Sequence, residues 1–293
     1  MRSKLFLRLS SLFITLVAST ISAFSFDGTI WSNPKKTPPG IRHEIFFSTA
    51  MGREIGFNIY LPPAYTSQSR ASFPTIYFLH RKLGDESTEA HVFSDWLRSG
   101  GSLSAIVVFP NGGRNSKYMD SVPGSEMDGK IMMETTLTQE LVPYIDAHYR
   151  TIRNPEGRSI QGFSMGGMGA LRLAFAYPHL FGHVYAFNPA VDDDAENIAE
   201  EEPELLSKMM GGNPSEWHER MAKTLGLRNK EKLKNSRIDI SIGERDELLP
   251  SVLDLSTALR SAGLQHKLKI IPGLDHWYRL GPNFAGILRP LKK

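Results

Sequence analysis

The stretch Arg158-Ser159-Ile160-Gln161-Gly162-Phe163-Ser164-Met165-Gly166-Gly167-Met168-Gly169-Ala170 reads as a short buried strand, a Gly-x-Ser-x-Gly turn and a helix start rich in small residues. A serine at the tip of so sharp a strand-to-helix turn is held in strained backbone geometry. Residues without Cβ at Gly162 and Gly166 let strand and helix pass closely. The helix start aims backbone N–H groups at the space above the serine oxygen, where an oxyanion would develop. Ser164 is therefore the candidate nucleophile, and Met165, directly after it, a candidate oxyanion donor.

A nucleophilic serine needs a base, and the base needs a carboxylate to orient it, both expected later in the chain at strand ends. Arg237-Ile238-Asp239-Ile240-Ser241-Ile242-Gly243 alternates like a strand and runs into Glu244-Arg245-Asp246-Glu247. His266-Lys267-Leu268-Lys269-Ile270-Ile271-Pro272 is the next strand and runs into Gly273-Leu274-Asp275-His276-Trp277. In a parallel α/β sheet the loops after the carboxyl ends of strands build the active crevice, so Ser164, Asp246 and His276 fall on one edge. Asp246 also suits the N-cap of a helix over 248–262, and Glu244 and Glu247 stand as alternative orienters. His276 follows the last strand. His179 and His183 flank a helix end, His218 lies in an acidic helical stretch and His266 begins a strand.

These pieces resemble the esterase D group of α/β-hydrolases, which includes feruloyl and acetyl xylan esterases, S-formylglutathione hydrolases and secreted mycolyltransferases. The resemblance runs from about Phe57 to Trp277, through Ile59-Tyr60-Leu61-Pro62-Pro63-Ala64-Tyr65, Tyr77-Phe78-Leu79-His80, Val107-Val108-Phe109-Pro110-Asn111-Gly112-Gly113 and Glu140-Leu141-Val142-Pro143-Tyr144-Ile145-Asp146. It continues through the Ser164 turn and the Asp246 and His276 loops. It implies an α/β-hydrolase fold, a mostly parallel sheet of roughly eight strands with helices on both faces. It also implies carboxylester hydrolysis by Ser164, His276 and Asp246, with no cofactor and no metal. One position departs from the pattern. A His-Gly-x-Gly-Gly type turn is usual after the His80 strand, but here the turn is His80-Arg81-Lys82-Leu83-Gly84. Lys82 takes the second oxyanion-donor position, and Arg81 replaces a glycine. Two cations there either favour acidic substrates or turn outward to water. By the same resemblance Tyr118 and Asp120, in the loop after the Phe109 strand, and Trp277 border the substrate pocket. For the aromatic pair, ordinary packing is the competing reading.

Met1-Arg2-Ser3-Lys4 and Arg8, the apolar run 9–18 and the small-residue region 19–25 have the layout of a secretory signal peptide. The expected organisation is a leader over 1–23 and a single domain over 24–293 carrying a helical insertion around 189–235. Export would place the protein in the periplasm or outside the cell, with no stable membrane insertion after cleavage. The chain has no cysteine, so stability in an oxidising space would rest on the core. Three of the 34 basic residues lie in the leader and none of the 31 acidic ones does, leaving the remainder near neutral. That balance, with no basic stripe or zinc spacing, argues against a nucleic-acid partner. Asp192-Asp193-Asp194 reads as a solvated helix start. The expected substrate is an acylated saccharide or another small ester. An acyltransferase of the mycolyltransferase type, a peptidase and a non-catalytic binding protein on the same fold are the alternatives, and self-association is left open.

Overall fold

The structure is a computed structural model that describes residues 29–191 and 195–276. The expected leader, the Asp192–Asp194 run and Trp277 lie outside the described residues. Among these residues, eight strands form one sheet: β1 (Arg42–Ser48), β2 (Arg53–Tyr60), β3 (Thr75–Leu79), β4 (Ile106–Pro110), β5 (Arg158–Phe163), β6 (His183–Phe187), β7 (Arg237–Gly243) and β8 (Lys267–Ile271). Their order is β1-β2-β4-β3-β5-β6-β7-β8. The pairs β1/β2 and β2/β4 are antiparallel, and all others are parallel.

Every residue of β3, β4, β5 and β6 is buried. Parallel strands of this kind are covered on both faces, which is why Ile106-Val107-Val108-Phe109 is continuously apolar and not alternating. The alternation appears instead in which core each residue joins. Ile76, Phe78, Val107 and Phe109 pack on one side with Phe93, whereas Tyr77, Leu79, Ile106 and Val108 pack on the other with Leu171.

Phe93 belongs to helix α1 (Thr88–Arg98) and Leu171 to α3 (Met165–Ala176). Between them in sequence lies α2, which runs over Met133–Thr135, a wider π-helical turn Thr136–Leu141, and Val142–His148. Among its described residues the segment between β6 and β7 carries four short helices, α4 (Ala195–Glu201), α5 (Pro203–Met210), α6 (Pro214–Glu219) and α7 (Ala222–Arg228). Helix α8 (Leu249–Ser261) joins β7 to β8.

The register fixes where the loops emerge. Leu79 pairs with Gly162, Phe163 with Phe187, Phe187 with Ser241 and Gly243 with Ile271. The loops after β3, β5, β6, β7 and β8 therefore leave the sheet along one edge, although the sequence between the first and the last is long.

Candidate active site

Ser164 sits between β5 and α3 at φ 55°, ψ −119°, a conformation costing an L-residue roughly 1–3 kcal/mol. The turn around it is over-determined. Ser164 N–H donates to the Phe187 carbonyl (3.0 Å), and the Ser164 carbonyl accepts from Met168 N–H (3.0 Å) and Ala190 N–H (3.1 Å). A Cβ at Gly162 would lie 2.3 Å from the Gly166 carbonyl, and one at Gly166 would lie 2.1 Å from the Leu79 carbonyl oxygen. Those contacts are with backbone, which cannot yield, so both positions require glycine.

Three side chains form a hydrogen-bonded chain across this edge. Ser164 Oγ is 2.9 Å from His276 Nε2, and His276 Nδ1 is 2.9 Å from Asp246 Oδ2. The imidazole lies against the Phe163 ring, with centroids 5.5 Å apart and planes 26° from parallel. Asp246 and His276 are both buried. The second Asp246 oxygen accepts from Leu248 N–H at 2.9 Å, so the residue anchors the start of α8 and faces the imidazole at once. Glu244 is directed elsewhere, its carboxylate accepting from Gly273 N–H at 2.9 Å, and Glu247 is exposed. The orienter that reaches His276 is Asp246.

The two expected oxyanion donors are the backbone N–H groups of Met165 and Lys82. Met165 is the first residue of α3, and a first-turn N–H has no intrahelical acceptor. In the turn after β3, Leu83 N–H donates to the Arg114 carbonyl and Gly84 N–H to the Arg81 carbonyl. Lys82 N–H has no backbone acceptor among the described residues. Buried His80 braces this turn. Its Nδ1 lies 2.8 Å from the Arg81 carbonyl oxygen and its Nε2 accepts from Gly112 N–H at 2.8 Å. Only a neutral ring protonated at Nδ1 satisfies both contacts, and burial pushes the imidazole pKa down to about 4.

The usual glycine proves unnecessary at Arg81. The turn's left-handed residue is Leu83, at φ 64°, and Arg81 is not at positive φ. The close approach is at Gly84, where a Cβ would lie 2.9 Å from both the Arg81 carbonyl oxygen and His80 Nδ1. Both cations are paired: Arg81 donates to Glu89 at 2.7 Å, and Lys82 Nζ donates to Glu202 Oε1 at 2.9 Å. Glu202, between α4 and α5, also accepts from Lys117 Nζ (2.7 Å) and Asn115 Nδ2 (2.7 Å). Burial alone would raise its pKa, but Lys117 and Lys82 outweigh burial and bring it down to about 2.

Two expected substrate contacts are engaged by the protein itself. Tyr118 is fully buried, its hydroxyl donating to the His80 carbonyl at 2.9 Å. Its ring fills space that a Cβ at Gly112 or Gly169 would invade, so the packing reading replaces the expected pocket contact. Asp120 accepts from Thr135 N–H (3.0 Å) and Thr135 Oγ1 (2.6 Å), which ties its carboxylate to the start of α2. Sequence reasoning missed Glu202, Asn188 and the bracing role of His80. His80 and Asn188 carried a signal, the place of each directly after a buried strand.

A serine on a strained strand-to-helix turn, hydrogen-bonded to a histidine that is itself bonded to an aspartate, both from later strand ends of this sheet, defines a serine hydrolase of the α/β-hydrolase fold. Residues 48–287 match the family model described as "Putative esterase", and the chain belongs to that family. An esterase of Mycobacterium tuberculosis is 33% identical over 145 residues, covering 50% of this chain and 30% of the relative. The chain thus matches under a third of that relative's length. Fluorophosphonate-binding serine hydrolase F of Staphylococcus aureus superposes with a TM-score of 0.71 at 16% identity, covering 87% of this chain and all of the other. A ferulic acid esterase gives a TM-score of 0.69 at 22% identity, covering 85% and 96%. At such identities these two likenesses show the fold.

Proposed function

We propose that the protein is an exported serine carboxylester hydrolase working by double displacement. The reading is carried by the Ser164–His276–Asp246 chain, with its two 2.9 Å contacts, on a turn whose strain the surrounding backbone holds in place. Ser164 Oγ attacks the ester carbonyl while His276 Nε2 takes its proton. The negative charge on the carbonyl oxygen is met by the N–H groups of Met165 and Lys82. Collapse breaks the ester C–O bond, and the proton on His276 passes to the departing alcohol. Water then adds to the acyl-enzyme, giving its proton to His276, and the acid leaves as that proton returns to Ser164. Asp246 holds the imidazole with Nδ1 protonated and stabilises its charged form.

The leader-like sequence over 1–23 supports a substrate met outside the cytoplasm, an acylated saccharide or small ester. Because Glu89 and Glu202 pair with Arg81 and Lys82, a preference for anionic esters has little support.

The test is a panel of p-nitrophenyl esters from acetyl to octanoyl, with methyl ferulate and acetylated xylan. Wild type is expected to hydrolyse at least one class. Ser164→Ala should lower kcat by roughly 10³-fold or more, and a fluorophosphonate should label Ser164. Full activity in the Ala variant would sink the assignment. A product shifted to the acylated sugar or glycerol ester when trehalose or glycerol is added would make it a transferase.

A further inference from the structure

Asn188, directly after β6, has φ 41° and is fully buried. Its backbone N–H donates to the Ser241 carbonyl at 2.8 Å. Its side chain spans two loops: Oδ1 accepts from Gly243 N–H at 3.2 Å, and Nδ2 donates to the Asp275 carbonyl at 3.2 Å. Both partners are backbone groups of fixed polarity, so the amide has one orientation that serves both. Gly243 accepts from Asp246 N–H at 3.2 Å, and Asp275 immediately precedes His276. The flanking residues touch the serine turn, Phe187 accepting from Ser164 N–H and Ala190 donating to the Ser164 carbonyl. One short segment therefore grips the Ser164 turn through its backbone and the two partner loops through one side chain.

We propose that Asn188 is a positioning residue that holds the Asp246 and His276 loops in register with Ser164. The proposal rests on the reading of those three residues as catalytic. No other neutral side chain of this size offers a donor and an acceptor at the same span and also tolerates the left-handed backbone. Aspartate keeps the size and the acceptor but loses the donor, and turns an anionic oxygen toward the Asp275 carbonyl. Glycine removes both side-chain bonds and tolerates the backbone angle, so it separates the loss of the amide from backbone strain. A catalytic group displaced by about 1 Å can cost on the order of 10²-fold in rate.

Asn188→Gly, Asn188→Ala and Asn188→Asp should be compared with wild type on p-nitrophenyl acetate, with kcat expressed per site titrated by a fluorophosphonate, and Ser164→Ala, which lacks that site, measured alongside per protein molecule. The expected result for Asn188→Gly is a kcat loss of roughly 10- to 100-fold with KM within about threefold, and slower fluorophosphonate labelling. Asn188→Asp should lose at least as much, isolating the donor to Asp275. A purely structural role would lower the number of titratable sites and the Tm but leave kcat per site unchanged. Wild-type kcat per site in both Asn188→Gly and Asn188→Ala, beside an inactive Ser164→Ala, would overturn this proposal alone. Activity surviving in Ser164→Ala would instead overturn the catalytic reading beneath it.

Discussion

Two Ser-His-Asp chains are present among the described residues, and residue-level context separates them. In the second, Ser159 Oγ lies 3.3 Å from His183 Nδ1, and His183 Nε2 lies 3.1 Å from Asp239 Oδ2. These residues lie within β5, β6 and β7, all buried, with Ser159 accepting from Gln161 Nε2 and Asp239 from Arg237 Nε. Burial alone would raise the Asp239 pKa, but the His183 hydrogen bond and the Arg237 guanidinium hold it below the usual carboxylate range. Ser159 has no turn to project it and no helix start beside it, so this array joins strands without the setting that surrounds Ser164. Ser159→Ala should therefore keep kcat within about twofold. Asp246→Asn should lower kcat by roughly 10²- to 10⁴-fold, because its amide favours the wrong imidazole tautomer. Ester hydrolysis by the two purified variants checks both, and a larger loss in Ser159→Ala would exchange the roles of the two chains.

At the scale of elements, one carboxylate of the helical segment between β6 and β7 reaches the loops after both β3 and β4, beside the backbone bonds that Val122 N–H and Met127 N–H make to the Met209 and Lys208 carbonyls. Glu202 gathers Lys82, Lys117 and Asn115, and Lys82 carries a proposed oxyanion N–H. With a folded-state pKa of about 2 against an ordinary 4.5, Glu202 contributes stability that is fully present above about pH 4.5. That contribution is lost as pH falls toward 2. Glu202→Gln, which keeps shape and removes charge, should lower Tm at pH 7 and flatten the fall in Tm between pH 4.5 and 2, read by calorimetry. Parallel slopes for variant and wild type would show that the clasp carries no such linkage. Lys82→Ala loses part of the clasp but keeps the backbone donor, so most of kcat should survive.

For the whole molecule, one sheet separates two apolar layers, and every central strand contributes to both. Neither layer can form without the sheet, so unfolding should be a single cooperative transition in the described domain. Phe93→Ala in α1 should cost about 3–5 kcal/mol and Leu171→Ala in α3 about 2–5 kcal/mol, each leaving a cavity in a fully buried site. Urea unfolding followed by both tryptophan fluorescence and far-UV circular dichroism checks this. Separate midpoints for the two probes would mean that the layers unfold independently.

Features that depend on near neighbours along the chain were legible from residue type and spacing. The Gly162 and Gly166 spacing, the apolar runs of β3 to β6 and the residues following each strand end pointed to the elements and to the edge where Ser164, Asp246 and His276 lie. Tertiary structure decided what depends on packing between distant segments. Asp246 and Glu244 are two residues apart after the same strand, and the β7–β8 register turns one to His276 and gives the other Gly273 N–H. Tyr118 looked suited to a pocket because its loop follows a strand, yet glycines at 112 and 169 leave the interior space that its ring fills. Arg81 seemed misplaced only on the assumption that the turn needs glycine there, whereas the left-handed angle falls at Leu83. Lys82 is 120 positions from the Glu202 that neutralises it, and no local pattern encodes a pairing set by how the helical segment packs on the sheet.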